Sequence, residues 1–211
     1  MISVVIPACN EEKYIEKTLK QIPKNLEIIV VCDGCTDKTQ KIAKKYSKIY
    51  IVKERNVSKA RNYGAVRAKG EIIIFLDADT LINEKVIKNI QNIKNKNFVG
   101  TCKVKPDNKK LISNIYSKIK NIFGLFGIHN SSGIIFCSKN IFEKVQFNEK
   151  KTRHENQDFT IRAKKYGKRY FLKNCYVITS MRRFEKLGYL NVALYWIKEF
   201  LKINKDYPII R

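Results

Sequence analysis

Asp77 and Asp79 stand two residues apart at the end of an unbroken apolar run, Ile72-Ile73-Ile74-Phe75-Leu76. In extended backbone such positions point to the same side, so both carboxylates can face one ligand. Two like charges beside a buried strand repel each other and lose hydration, a cost that a cation or a donor network must offset. Hard carboxylate oxygens suit Mg2+ or Mn2+, which would leave its other positions to water and phosphate oxygens. A bare Asp-x-Asp is also a common solvated turn, so the rest of the chain has to decide between the two.

A second spacing with chemical meaning is Cys32-Asp33-Gly34-Cys35, a C-x-x-C pair. No second pair completes a zinc site, and the chain has only two histidines. The six cysteines fall mostly in or beside expected strands, as small buried hydrophobes do, which points to a reduced, cytosolic protein.

The elements that must position these residues follow from periodicity. Strands are expected at Ile2 to Ile6, Leu26 to Val31, Ile49 to Val52 and from Ile72 to Leu76. Helices are expected between them: from Asn10-Glu11-Glu12 to Ile22, from a cap at Thr36 to Thr39 through Tyr46, and from a Ser58 cap to Gly70. Strand and helix alternating with short links imply an α/β fold with a doubly wound, mostly parallel sheet flanked by helices. Ligands of such sheets bind beyond the carboxyl ends of the strands. Pro7 to Glu11, Asp33 and Asp77-Ala78-Asp79 should therefore gather on one rim.

Beyond Leu81 the pattern changes to a smaller, mixed portion. It has a helix at Glu84 to Ile93, strands at Phe98 to Val104 and Gly133 to Cys137, and a helix at Glu155 to Tyr166. Two further strands are expected at Arg169 to Leu172 and Tyr176 to Thr179, with Arg182 and Arg183 in the loop that follows. Two helices, Lys109 to Phe126 and Leu187 to Ile203, combine lysines with broad apolar faces. Such faces ordinarily cover a domain core or an oligomer interface; the alternative is an interfacial helix on an anionic membrane surface.

The 211 residues carry a formal net charge of +24, which calls for a polyanionic partner such as a nucleotide, a phospholipid surface or nucleic acid. Nucleic acid is disfavoured, because zinc-finger spacing, an aromatic RNA-binding signature and a concentrated arginine stripe are all missing. The chain opens on a strand rather than a basic and apolar leader, and its apolar runs are too short to span a bilayer. The expectation is a cytoplasmic protein, peripheral at most to the inner face of a membrane.

The ordered blocks Val4 to Glu12, Ile29 to Asp37, Lys59 to Gly64 and Gly70 to Asp79 resemble the family 2 glycosyltransferases of GT-A fold. Ile141 to Val145 and Glu155 to Arg162 resemble that family's acceptor-side segments. The resemblance implies one domain over residues 1–183, with a nucleotide-sugar half at 1–100 and an acceptor half at 101–183, and a helical tail at 184–211. It also implies inverting transfer from a nucleoside diphosphate sugar to a glycan or lipid-linked acceptor. Pro7, Cys9 and Glu11 would line the nucleotide pocket, Asp33 would bind base or ribose, and Arg61 would lie near base and phosphates. Asp77, Ala78 and Asp79 would meet the diphosphate, with Asp77 and Asp79 holding Mg2+ or Mn2+. Arg182 or Arg183 would add donors to the departing diphosphate from a loop.

The sequence departs from the family's Glu-Asp-x-Asp pattern where Asn156 replaces the expected general base. An amide accepts no proton at neutral pH. Asp158 is the expected substitute by motif, Glu155 the next, and His154 a third candidate. A protein that binds the nucleotide sugar without transferring it is the alternative that Asn156 raises.

Overall fold

The computed structural model describes residues 1–126, 133–151, 153–192 and 194. Its first half alternates strictly. Strands β1 (Ile2–Ala8), β2 (Glu27–Asp33), β3 (Lys48–Val52) and β4 (Ile72–Leu76) alternate with helices α1 (Ile15–Gln21), α2 (Thr39–Ala43) and α3 (Val57–Arg67). β1 pairs in parallel with β2 on one side and with β4 on the other, and β3 extends the sheet beyond β2. The strands are apolar on both faces because helices cover both: α1 and α2 lie over one core, α3 over the other. α3 sits unusually close to the sheet, since a Cβ on Gly64 would come within 2.5 Å of Val5 Cγ1.

The second half makes the sheet mixed. After the two-residue strand β5 (Thr80–Leu81) come α4 (Glu84–Gln91), β6 (Phe98–Pro106), α5 (Leu111–Phe126), β7 (Ile134–Ser138) and α6 (Lys139–Val145). The described chain continues through α7 (Glu155–Ala163), β8 (Lys168–Thr179) and α8 (Arg182–Leu187). β7 is antiparallel to both its neighbours, β4 and β6, and β6 and β8 are parallel to each other, so one eight-stranded sheet runs in the order β3-β2-β1-β4-β7-β6-β8-β5.

Several local expectations change. Asn56, not Ser58, caps α3: its side chain accepts from the Lys59 N–H, while Ser58 is buried inside the helix. The helix after Asn10 starts only at Ile15, because Asn10 takes a left-handed conformation and the chain turns at Glu11 first. The two strands expected at Arg169 to Thr179 are one strand, with an irregularity opposite Cys102 and Lys103 that absorbs the extra residues. Arg182 and Arg183 open helix α8 instead of lying in a loop. Most of the helix expected at Leu187 to Ile203, Trp196 included, lies outside the described residues.

The largest departure is α5. Its buried positions are Ser113, Ser117 and Gly124, while Leu111, Ile112, Ile115, Ile119, Ile122, Phe123 and Phe126 are exposed. The polar side is the packed one because it satisfies partners there. Asn121 donates to the Val104 carbonyl and accepts from its N–H, and Gly124 admits the Phe171 ring. The apolar face therefore does not cover the domain core.

Candidate active site

The rim forms where β1 parts from its two neighbours. β2 and β4 flank β1 in parallel, so Ala8, Asp33 and Leu76 end their strands on the same side of the sheet. The chain moves outward from β1 to β2 and β3 and then returns to place β4 on the other side of β1, so the strand order reverses there and opens the crevice in which α/β proteins hold ligands. Asp33 is buried at the end of β2. The exits of β1 and β2 are stitched together: the Cys35 thiol donates to the Ala8 carbonyl at 3.1 Å, and Asn10 Oδ1 accepts from the Thr36 N–H at 2.8 Å. Cys9 reaches toward the Gly34 carbonyl. All six cysteines are free thiols.

Asp77 and Asp79 are brought together by a turn rather than by strand alternation. β4 stops at Leu76, and the Thr80 N–H donates to the Asp77 carbonyl at 3.0 Å, closing the turn around Ala78. Thr18 of α1 fixes that turn from below by donating to the Ala78 carbonyl. Burial and the like charge of Asp77 push the Asp79 carboxyl up to about 7; Glu11 adds to this, and Arg182 and Arg183 oppose it.

Two arginines bind the rim's carboxylates. Arg182 donates to both oxygens of Glu11 at 2.5 and 2.7 Å, lies 3.1 Å from Asp79 Oδ2, and rests over the Tyr14 ring. Burial works against its charge, yet Glu11 and Asp79 outweigh that and raise its proton affinity. Arg61 in the second turn of α3 is 3% exposed and bridges Asp77 Oδ1 at 2.9 Å to Glu155 Oε1 at 3.1 Å.

Glu155 reaches Arg61 because an aromatic cluster docks α7 against β4 and the Phe147 segment, which α3 holds. Phe147 stacks on Phe159 at 4.2 Å, both pack on Phe75, and Arg61 lies 5.2 Å from the Phe147 ring centre. Asn62 pins the same segment, donating to the Phe147 carbonyl and accepting from its N–H. The structure thus joins Glu11, Asp77, Asp79, Arg61, Glu155 and Arg182 in two linked ion-pair groups.

Asp158 is engaged elsewhere. Its oxygens bind Lys151 at 2.9 Å and Arg162 Nε at 2.7 Å. Burial alone would raise its proton affinity, but those two cations hold its carboxyl below the usual range. Asn156 Oδ1 is buried and accepts no hydrogen bond among the described residues. His154, in a left-handed conformation, precedes the first turn of α7.

Three site residues escaped sequence reasoning. Thr18 and Asn62 are ordinary polar positions within helices, and only their burial against distant segments marks them. Lys120 sits on α5, and burial with the nearby Arg183 pushes its ammonium down to about 8, with Asp77 pulling the other way. A lysine amid the apolar residues of a helix carries no local signal that it faces a site.

The model of Glycosyl transferase family 2 matches residues 3–188. The chain belongs to that family. Among curated relatives of this transferase family member, the amylovoran biosynthesis glycosyltransferase AmsB of Erwinia amylovora is 29% identical, over 92% of this chain and 76% of its own length. The chain spans much less of the first curated relatives it matches, 11% of the Bacillus subtilis minor teichoic acid biosynthesis protein GgaB and 34% of the Streptococcus pneumoniae glycosyltransferase GlyG. Its fold is that of the Pyrobaculum calidifontis mannosyltransferase PcManGT, solved with GDP-Man and Mn2+, at TM-score 0.71 and 17% identity over 98% of this chain and 65% of that one. S. aureus TarS 1-349 in complex with UDP-GlcNAc matches at TM-score 0.69 and 23% identity, over 85% and 58%. Both likenesses show the GT-A fold.

Proposed function

We propose that this chain transfers a sugar from a nucleoside diphosphate sugar to an acceptor hydroxyl on a glycan or lipid-linked glycan, with inversion. The observation that carries this reading is the bridge from Asp77 through Arg61 to Glu155, which sets a rim carboxylate and a candidate base on either side of one buried cation. Donor complexes of the PcManGT and TarS structures support the substrate class.

Asp33 would bind base or ribose, with Pro7, Cys9, Glu11 and Ala78 lining the pocket. The donor set at Asp77 and Asp79 fits Mg2+ or Mn2+: both ligands are hard oxygens, and burial strains the Asp79 charge in a way that a cation relieves. Among the described residues no cluster of three ligating side chains gathers there, so water and phosphate would fill the remaining positions. When bound, the ion supplies neutralisation of the charge that builds on the departing diphosphate. Arg182 adds guanidinium donors on the same side, and Arg183, exposed beside it, reinforces the positive field.

Glu155 is the base this geometry favours. As the acceptor oxygen attacks the anomeric carbon, its proton passes to the Glu155 carboxylate while the carbon–oxygen bond to diphosphate breaks. Direct displacement without a covalent intermediate inverts the configuration. Arg61 keeps Glu155 and Asp77 in fixed relation during the step. Asp158, bound by two cations, is the poorer acceptor, and Asn156 can orient the acceptor hydroxyl but not deprotonate it.

The test is thermal stabilisation by a panel of UDP and GDP sugars with Mn2+ or with EDTA, followed by release of nucleoside diphosphate. Stabilisation should require metal and vanish in Asp79→Ala. Equal stabilisation of that variant would remove the metal role, and stabilisation with no release in the presence of any acceptor would favour binding without transfer.

A further inference from the structure

Helix α5 carries its large side chains outward. Leu111, Ile112, Ile115, Ile119, Ile122, Phe123 and Phe126 recur at helical spacing along one face, with Ile115 48% and Ile122 53% exposed. A continuous stripe of this kind is more than soluble monomers usually leave to water. Lys109 and Lys118 border it, and no acidic residue occurs between Asp107 and Glu143. The helix has 16 residues, and no described helix is long and apolar enough to cross a bilayer.

We infer that this face docks on an anionic phospholipid surface, with the apolar stripe lying at the headgroup boundary and the bordering lysines among the phosphates. Charge selects this occupant. The +24 chain would bring like charges together if a second copy covered the stripe, whereas an anionic bilayer takes both the apolar residues and the lysines. The stems of Lys109 and Lys118 can lie along the stripe while their ammonium groups reach the lipid phosphates.

The other side of α5 faces the reaction rim. Lys120 lies close enough to Asp77 and Arg183 for both charges to act on it, and Tyr116 packs on Phe184 of α8 at 4.3 Å, beside the turn that presents Arg182. Lys110 pairs with Glu185 of the same helix at 2.7 Å. Docking through α5 therefore holds the rim next to the bilayer, where a lipid-linked acceptor would be presented. That last step rests on the transferase reading; the docking does not.

The test is co-sedimentation of the full chain with vesicles of phosphatidylcholine alone and of phosphatidylcholine mixed with phosphatidylglycerol. The wild-type chain should pellet with the mixed vesicles, and Ile115→Glu/Ile122→Glu should bind them at least about tenfold more weakly. Lys118→Ala should weaken binding less and flatten its salt dependence. Both sites are exposed, so the variants should keep the wild-type melting temperature and metal-dependent donor stabilisation. The inference is overturned if the wild-type chain stays in solution with mixed vesicles, or if the double variant pellets equally. It is also overturned if the face proves to hold a second copy, seen as a dimer that the double variant dissociates. Vesicle binding that arises only after removal of residues 195–211 would assign the face to that segment. Vesicle binding without donor stabilisation would instead sink the transferase reading and leave the docking standing.

Discussion

Asp79 is a residue where folding and function pull apart. Its carboxyl is raised from 3.8 to about 7, so the folded chain holds that proton more tightly than the unfolded chain does. The stability this gives is complete below pH about 4 and is lost as pH rises through 7. Asp79→Asn should therefore melt several degrees higher than wild type at pH 8 without metal, and the gap should close by pH 5, as calorimetry would read. The same proton competes with the metal: stabilisation by Mn2+ and a nucleotide sugar should weaken as pH falls from 8 to 6. Asp33, Asp77 and Asp79 could be assigned to one rim from sequence because they follow predictable strand ends, although their type and spacing alone did not separate a ligand site from a solvated turn. The partners that Glu155 and Asp158 meet were not legible, since neighbours on one helix differ only in what distant segments set against them. Arg61 comes from α3, while Lys151 and Arg162 surround Asp158. Glu155→Gln should keep donor binding and lose about a hundredfold or more in turnover, whereas Asp158→Asn should lower stability and spare most of the rate.

Among the elements, α3 does the most to assemble the site. One face carries Arg61 to Asp77 and Glu155, and the next residue, Asn62, pairs with both backbone groups of Phe147. Removing that side chain leaves buried groups unpaired, so Asn62→Ala should cost about 1–3 kcal/mol in denaturant unfolding. It should also reduce turnover more than donor affinity, because Glu155 loses its support while Asp33 and Asp79 do not. Helix α1 was readable from its apolar face, whose Ile15 and Leu19 are buried, whereas α3 was marked by its flanking polar cap and Gly70 and buries polar side chains as well as apolar ones. Helix α5 was readable as a helix but its facing was not, because the same periodicity that marks a buried face marks an exposed one. Tertiary contacts such as the pairing of Asn121 with Val104 and the fit of Gly124 to Phe171 show which side is inward.

At the scale of the molecule, the two halves share one sheet. β4 lies between β1 and β7, so the strand that leads into Asp77 belongs to the first half in sequence but is completed by the later half. A fragment of residues 1–105 would bare the edge of Ile72–Leu76, and it should aggregate, while the whole chain should unfold in one transition. Light scattering of the fragment and calorimetry of the chain check this. Periodicity, turn residues and the ordered family blocks determined that the chain is a GT-A protein, because each is a property of neighbouring residues. They also determined that Asp33, Asp77 and Asp79 would share a rim, since parallel strands with short crossovers must end on one side. Tertiary structure alone decided which cation meets which carboxylate, how β7 enters beside β4, and which way α5 turns. Those outcomes depend on contacts between residues far apart in the chain, and no local spacing encodes them.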